Sequence, residues 1–125
     1  MAARPYSGSG RSLDGALRRF DLKAEVERLR RDKAWQDGRR NTTTLHKRTG
    51  LSVVLLVMRG GDGLEEHSAP GPIALSVREG RIRFTVEGEA VEAGPETVFT
   101  CEEGMRHAVE ALSDAICLLC IATGR

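Results

Sequence analysis

Three histidines and three cysteines are the residues of this 125-residue chain best suited to chemistry, together with the carboxylates beside them. His67 follows Glu65-Glu66, and His107 follows Glu102-Glu103. Neutral imidazole both donates and accepts hydrogen bonds and titrates near neutral pH, and its unprotonated nitrogen is a common metal ligand. The two rings are too far apart in sequence to share one element, so only a fold that reverses direction between them can make a site. A catalytic metal centre normally takes three protein ligands and keeps one position open. A third donor would have to come from Glu65, Glu66, Cys101 or His46, and spacing singles out none of them.

Other chemistry is weakly supported. Cys117-x-x-Cys120 lies in the apolar run DAICLLCIA, which reads as a strand. Residues an odd number apart on a strand point to opposite faces, so these thiols could neither bridge nor share a metal. Cys101, near a turn, is open to three roles: metal ligand, reactive thiol or inert buried side chain. No G-x-S-x-G elbow occurs. Arg59-Gly60-Gly61-Asp62-Gly63 is a loop without the Lys-Ser/Thr ending of a phosphate-binding loop.

The elements between the histidines are strands. Ile73, Leu75 and Val77 alternate with Ala74, Ser76 and Arg78; after Glu79-Gly80, Ile82, Phe84 and Val86 alternate with Arg81, Arg83 and Thr85. Period-two alternation predicts a half-buried antiparallel hairpin, apolar on one face and charged on the other. A second turn at Glu87-Gly88 leads to Val91. If the strand ran unbroken from Leu64, parity would turn Glu65 and His67 inward with Ile73, although Pro70-Gly71-Pro72 interrupts it. Further strands are expected over Asn41–Arg48, Leu51–Met58 (apolar on both parities), Glu96–Cys101 and Asp114–Ala122. Before them, residues 1–11 are small and polar, and Leu13, Ala16, Leu17 and Phe20 recur at helical spacing. Asp21 is an N-cap for a helix over about residues 22–34, whose stripe Leu22, Val26 and Leu29 must pack on its own barrel or a partner. Trp35 is either a stacking surface for a ligand or an anchor pinning that helix to the sheet.

These residues resemble a small single-domain cupin over roughly residues 42–122. The first family motif, a glycine, five residues, His-x-His, a glutamate and a closing glycine, is matched by Gly61, His67 and Gly80. Ala69 stands at the second histidine and Ile73 at the glutamate. The second motif is matched by Gly104 and His107, with Glu96 and Glu102 replacing its leading glycine and its proline. The resemblance implies a mainly β fold, an antiparallel double-sheet jelly-roll barrel over residues 41–125. A short helix and a flexible segment would precede it in residues 1–40. In metal-bearing relatives the ligands are three histidines and a glutamate, so two of four are kept.

Two functions follow. One is a binding module holding a small, partly apolar molecule inside the barrel, lined by His67, His107, Ile73, Leu75, Phe84 and Met105. The other is a metal-dependent enzyme of the dioxygenase or isomerase kind, with His67 and His107 as ligands of a divalent ion such as Zn, Fe, Mn or Ni and an unconventional third donor. A metal-free epimerase would want a barrel tyrosine, and the only tyrosine is Tyr6.

Composition narrows the field. At 13.6 kDa the chain makes one domain, and 4% aromatics demand an aliphatic core. No apolar run reaches the ~20 residues of a membrane span. The odd cysteine count and the lack of an N-terminal apolar core point to a reducing compartment, and a cytoplasmic location is expected. Residues 1–48 hold thirteen Lys/Arg against six Asp/Glu, a net of +7, and the remainder a net of −6. That asymmetry suits a homodimer using the basic N-terminal segment, whereas no motif favours nucleic acid.

Overall fold

The computed structural model describes residues 16–123, so Tyr6, Leu13 and the small polar stretch 1–11 lie outside the described residues. Two short helices, α1 (Leu22–Arg30) and α2 (Lys33–Gln36), precede nine strands. These are β1 (Thr42–Arg48), β2 (Gly50–Met58), β3 (Gly63–His67), β4 (Ile73–Glu79), β5 (Ile82–Val86), β6 (Glu89–Ala93), β7 (Thr97–Cys101), β8 (His107–Ala111) and β9 (Ala115–Thr123). They form a five-stranded sheet in the order β1-β2-β9-β4-β7 and a four-stranded sheet in the order β3-β8-β5-β6. All pairings are antiparallel. The two sheets make the double-sheet jelly roll expected from the sequence.

The helix begins where expected and stops early. Asp21 accepts a hydrogen bond from the Ala24 N–H at 3.1 Å, capping α1. It does not run to residue 34, because Asp32 leaves helical geometry and its carboxylate takes the Ala34 N–H at 2.7 Å, starting α2 instead. Residues 17–20 carry no helix despite their spacing. Val26 and Leu29 are buried with Leu45, Leu55, Val57 and Ile116 of the larger sheet. The apolar stripe therefore packs on the chain's own barrel. Trp35 is the anchor: its Nε1 donates to the Val57 carbonyl at 3.0 Å, and the Arg59 guanidinium lies 3.7 Å from its ring centre.

The inner faces of the sheets make the main core. Leu56, Met58, Leu75, Val77, Ile82, Phe84 and Cys117 are nearly or fully buried there. Leu55 and Leu56 are both 0% exposed, one under α1 and the other between the sheets, which explains why β2 is apolar on both parities. Cys117 and Cys120 divide in the same way: Cys117 joins the inter-sheet core, and Cys120 pairs with Val53, on the helix side. Burial pushes the Cys117 thiol up to about 11, consistent with an inert side chain.

One expectation fails in an informative way. The strands either side of Glu79-Gly80 are not a hairpin: β4 pairs with β7 and β9 in the larger sheet, whereas β5 pairs with β6 and β8 in the smaller. Gly80 carries the crossing, with φ +78° and no room for a side chain beside the Asp114 carbonyl. The true hairpin is β5–β6, closed by the two-residue turn Glu87-Gly88, both at positive φ (49° and 85°). No helix among the described residues is long and apolar enough to cross a membrane.

Candidate functional site

The smaller sheet places the histidines side by side. Its register sets His67 opposite His107, His107 opposite Val86, and Val86 opposite Glu89, one continuous row across β3, β8, β5 and β6. Directly opposed residues share a face, so the row puts two imidazoles, a valine and a carboxylate on the side facing the larger sheet. A register shift between Leu64 and His67 makes this possible. The extra residue resets the parity of β3, so that Leu64 packs on the core and His67 still meets His107. The ring centroids are 4.4 Å apart, inclined at 61°.

Both rings are oriented alike. His67 Nδ1 lies 2.8 Å from the Glu65 carbonyl oxygen and His107 Nδ1 lies 3.1 Å from that of Met105. A carbonyl oxygen only accepts, so in the neutral rings each Nδ1 carries the hydrogen and each Nε2 keeps its lone pair. Their surroundings differ. His107 is 3% exposed beneath Phe84, with centroids 5.8 Å apart, while His67 is exposed at the sheet edge. The sequence expectation of two inward rings is thus half met: β3 is an edge strand and ends at His67, just before Pro70-Gly71-Pro72. Glu65, also expected inward, is exposed.

The six residues expected to line an interior site fall around two spaces that share Phe84. The first, between the sheets, touches His67, His107, Ile73, Leu75 and Phe84, and its volume is about 10 Å³, room for roughly one water. Buried side chains of both sheets pack around it. The second is a groove of about 420 Å³ at the mouth, between the facing edges β6 and β7, and Met105 lies there with Phe84. Phe84 and Phe99 stack at 5.0 Å within it, and Val86, Val91, Glu87 and Glu89 complete its wall and rim. Phe99, Glu87 and Glu89 were not foreseen. Finding them needs the β5–β6 and β5–β8 registers, of which the sequence shows only the turn at Glu87-Gly88.

The donors present do not fit the three-histidine-and-glutamate centre of metal-bearing relatives. Ile73 is buried core at the glutamate position, and Ala69 has no donor. Of the possible replacements, Glu66 is held by Arg106 at 2.9 Å, and His46 lies on β1 of the other sheet, 3.4 Å from an Arg18 nitrogen. Cys101 is buried on β7; burial first, then the Glu102 and Glu87 charges, raise its thiol pKa and keep it protonated. Among the described residues no three His, Cys, Asp or Glu are grouped to hold a metal ion.

Comparisons with known proteins agree with this architecture. A family model described as "Cupin domain" matches residues 53–122. No curated protein matches the chain significantly. A conserved protein of unknown function from Streptococcus pyogenes superposes with a TM-score of 0.64 at 21% identity, over 67% of this chain and 74% of that one. KdgF from Halomonas sp. gives 0.61 at 19% identity, over 67% and 78%. An RmlC-like cupin protein from Desulfovibrio desulfuricans gives 0.61 at 24%, over 65% and 79%. At these identities the likeness is one of fold.

Proposed function

This chain belongs to the cupin-domain family, and from that premise we propose that it binds a small, partly apolar molecule at the mouth of its barrel. The observation carrying this reading is the distribution of space. The interior beside the imidazoles has room for about one water, whereas about 420 Å³ opens beside the same Phe84 ring. A site that is mainly apolar with a few placed polar groups is the usual form of a small-molecule pocket. Phe84, Phe99 and Met105 supply the apolar contact. Glu87 and Glu89 supply the polar groups at its rim, and Val86 and Glu89 lie in the same cross-strand row as His107 and His67.

Metal-dependent turnover is the second reading, favoured only by the Nδ1-to-carbonyl bonds, which are how metal-binding imidazoles are commonly oriented. The shortage of a third donor ranks it below binding.

The methionines provide the test. Met105 lines the groove and Met58 is buried in the core, so ¹³C-methyl spectra report the two places separately. With a panel of small aromatic alcohols, amides, amines and acids, we expect saturable shifts of the Met105 methyl while Met58 stays fixed. No Met105 response to any member at millimolar concentration would contradict the proposal.

A further inference from the structure

The groove at the barrel mouth has a charge preference as well as a shape. Its walls are aromatic and aliphatic, its rim holds the Glu87 and Glu89 carboxylates, and among the described residues no lysine or arginine side chain lines it. Among the described residues the Glu89 carboxylate has no hydrogen-bond or ion-pair partner, although its row places it on the same face as Val86 and His107. The one arginine next in sequence to this corner, Arg106, turns its guanidinium to Glu66 instead. Of the stacked pair Phe84 and Phe99, Phe84 is buried and Phe99 is partly exposed, so Phe99 is the ring whose π-face a cation can reach. Glu87 is costly where it stands. It occupies the first position of a two-residue hairpin turn at φ 49°, where asparagine or glycine is favoured. Its carboxylate accepts the Arg106 backbone N–H at 3.3 Å, fixing it at the rim.

We propose that the molecule taken by this groove is an organic ammonium, an aromatic or alkyl body carrying a positively charged nitrogen. The body would lie against Phe99, Met105 and the edge of Phe84, with the nitrogen between the Phe99 ring and the Glu87 and Glu89 carboxylates. This inference rests on the groove being a ligand site, and it deepens that reading by naming the ligand class. Neutral and anionic molecules of the same shape would gain the apolar contact and lose the charge term, the anion incurring repulsion besides.

The test uses three probes of one shape and different charge: phenethylammonium, phenethyl alcohol and phenylacetate, titrated into the intact protein and followed at the Met105 methyl. The expected order is ammonium first by roughly fivefold over the alcohol, with phenylacetate weakest, and an advantage that shrinks as salt rises. Glu89→Gln should weaken ammonium binding more than alcohol binding and so remove most of that advantage. Glu87→Asn should reduce it too, and because asparagine suits the turn, the variant should melt no lower than the parent. Equal binding of all three probes would overturn the ammonium assignment and leave the groove a ligand site. Failure of all three would remove both.

Discussion

Gly80→Ala should abolish or nearly abolish folding, with a loss we place above ~3 kcal/mol. Two costs add at this position. The backbone has φ +78°, where an L side chain loses about 1 kcal/mol relative to glycine. An added Cβ would also overlap the Asp114 carbonyl oxygen and approach Ala115 Cα at 2.8 Å. Those atoms lead into β9, which is paired on both sides by β2 and β4 and has little freedom to retreat. Gly88→Ala is the control, because Gly88 has a similar φ of +85° and nothing within 4 Å of its added Cβ. Urea unfolding of the two variants separates backbone strain from collision. We expect Gly88→Ala to lose about 1 kcal/mol, and Gly80→Ala either far more or no soluble fold. Equal losses would mean that the crossing between sheets is not as tightly packed as described.

Leu56→Ala carries the second large effect. Leu56 is 0% exposed, lies between the sheets and borders the small cavity beside the imidazoles. Truncating a buried leucine costs about 2–5 kcal/mol, more where the surroundings cannot collapse into the gap. Strand β2 is hydrogen-bonded to β1 and β9 along its length, so little relaxation is available and a loss of about 4 kcal/mol is expected. A domain of this size has only about 5–15 kcal/mol of stability in total, so the urea midpoint should fall steeply at unchanged slope. Leu51→Ala, on the exposed end of the same strand, should cost about 0.5 kcal/mol or less. A comparable loss at both positions would contradict the division of β2 into an exposed start and a doubly buried end.

Much of the fold was legible in residue patterns because burial on one face writes period two into a strand. Alternation at Ile73, Leu75 and Val77, and at Ile82, Phe84 and Val86, located two strands and their inward faces correctly. What alternation does not encode is the partner. β4 and β5 adjoin in sequence with a glycine between them, as a hairpin would, yet the crowding of Gly80 against Asp114 shows a strand changing sheets. Only non-local pairing with β9 and β8 decides between the two. The helix shows the same limit at smaller scale: Asp21 announced its start, but its end depended on which amide Asp32 captured.

The candidate site was legible in part for the same reason. The approach of His67 to His107 was expected from the strands that lie between them, and the structure adds the bulge in β3 that resets parity so the rings meet. Strand parity carried through Pro70-Gly71-Pro72 put Glu65 inward, and the chain does not keep parity there. The filled interior was not legible at all. Volume depends on how Leu56, Leu75 and Leu119 interdigitate across the sheets, and no linear pattern contains that. Glu89 became notable only through a register that joins it to the histidines across three strands.

The site is built around two imidazoles in contact, each holding its hydrogen on Nδ1 against a backbone carbonyl and presenting a bare Nε2. Long-range ¹H–¹⁵N spectra of the histidine rings, recorded above pH ~8 where free imidazole is neutral, report that directly. His67 and His107 should both show a protonated Nδ1 and an unprotonated Nε2, with ring-to-ring Overhauser contacts between them. A bare Nδ1 on either ring, or no contact between the rings, would contradict it.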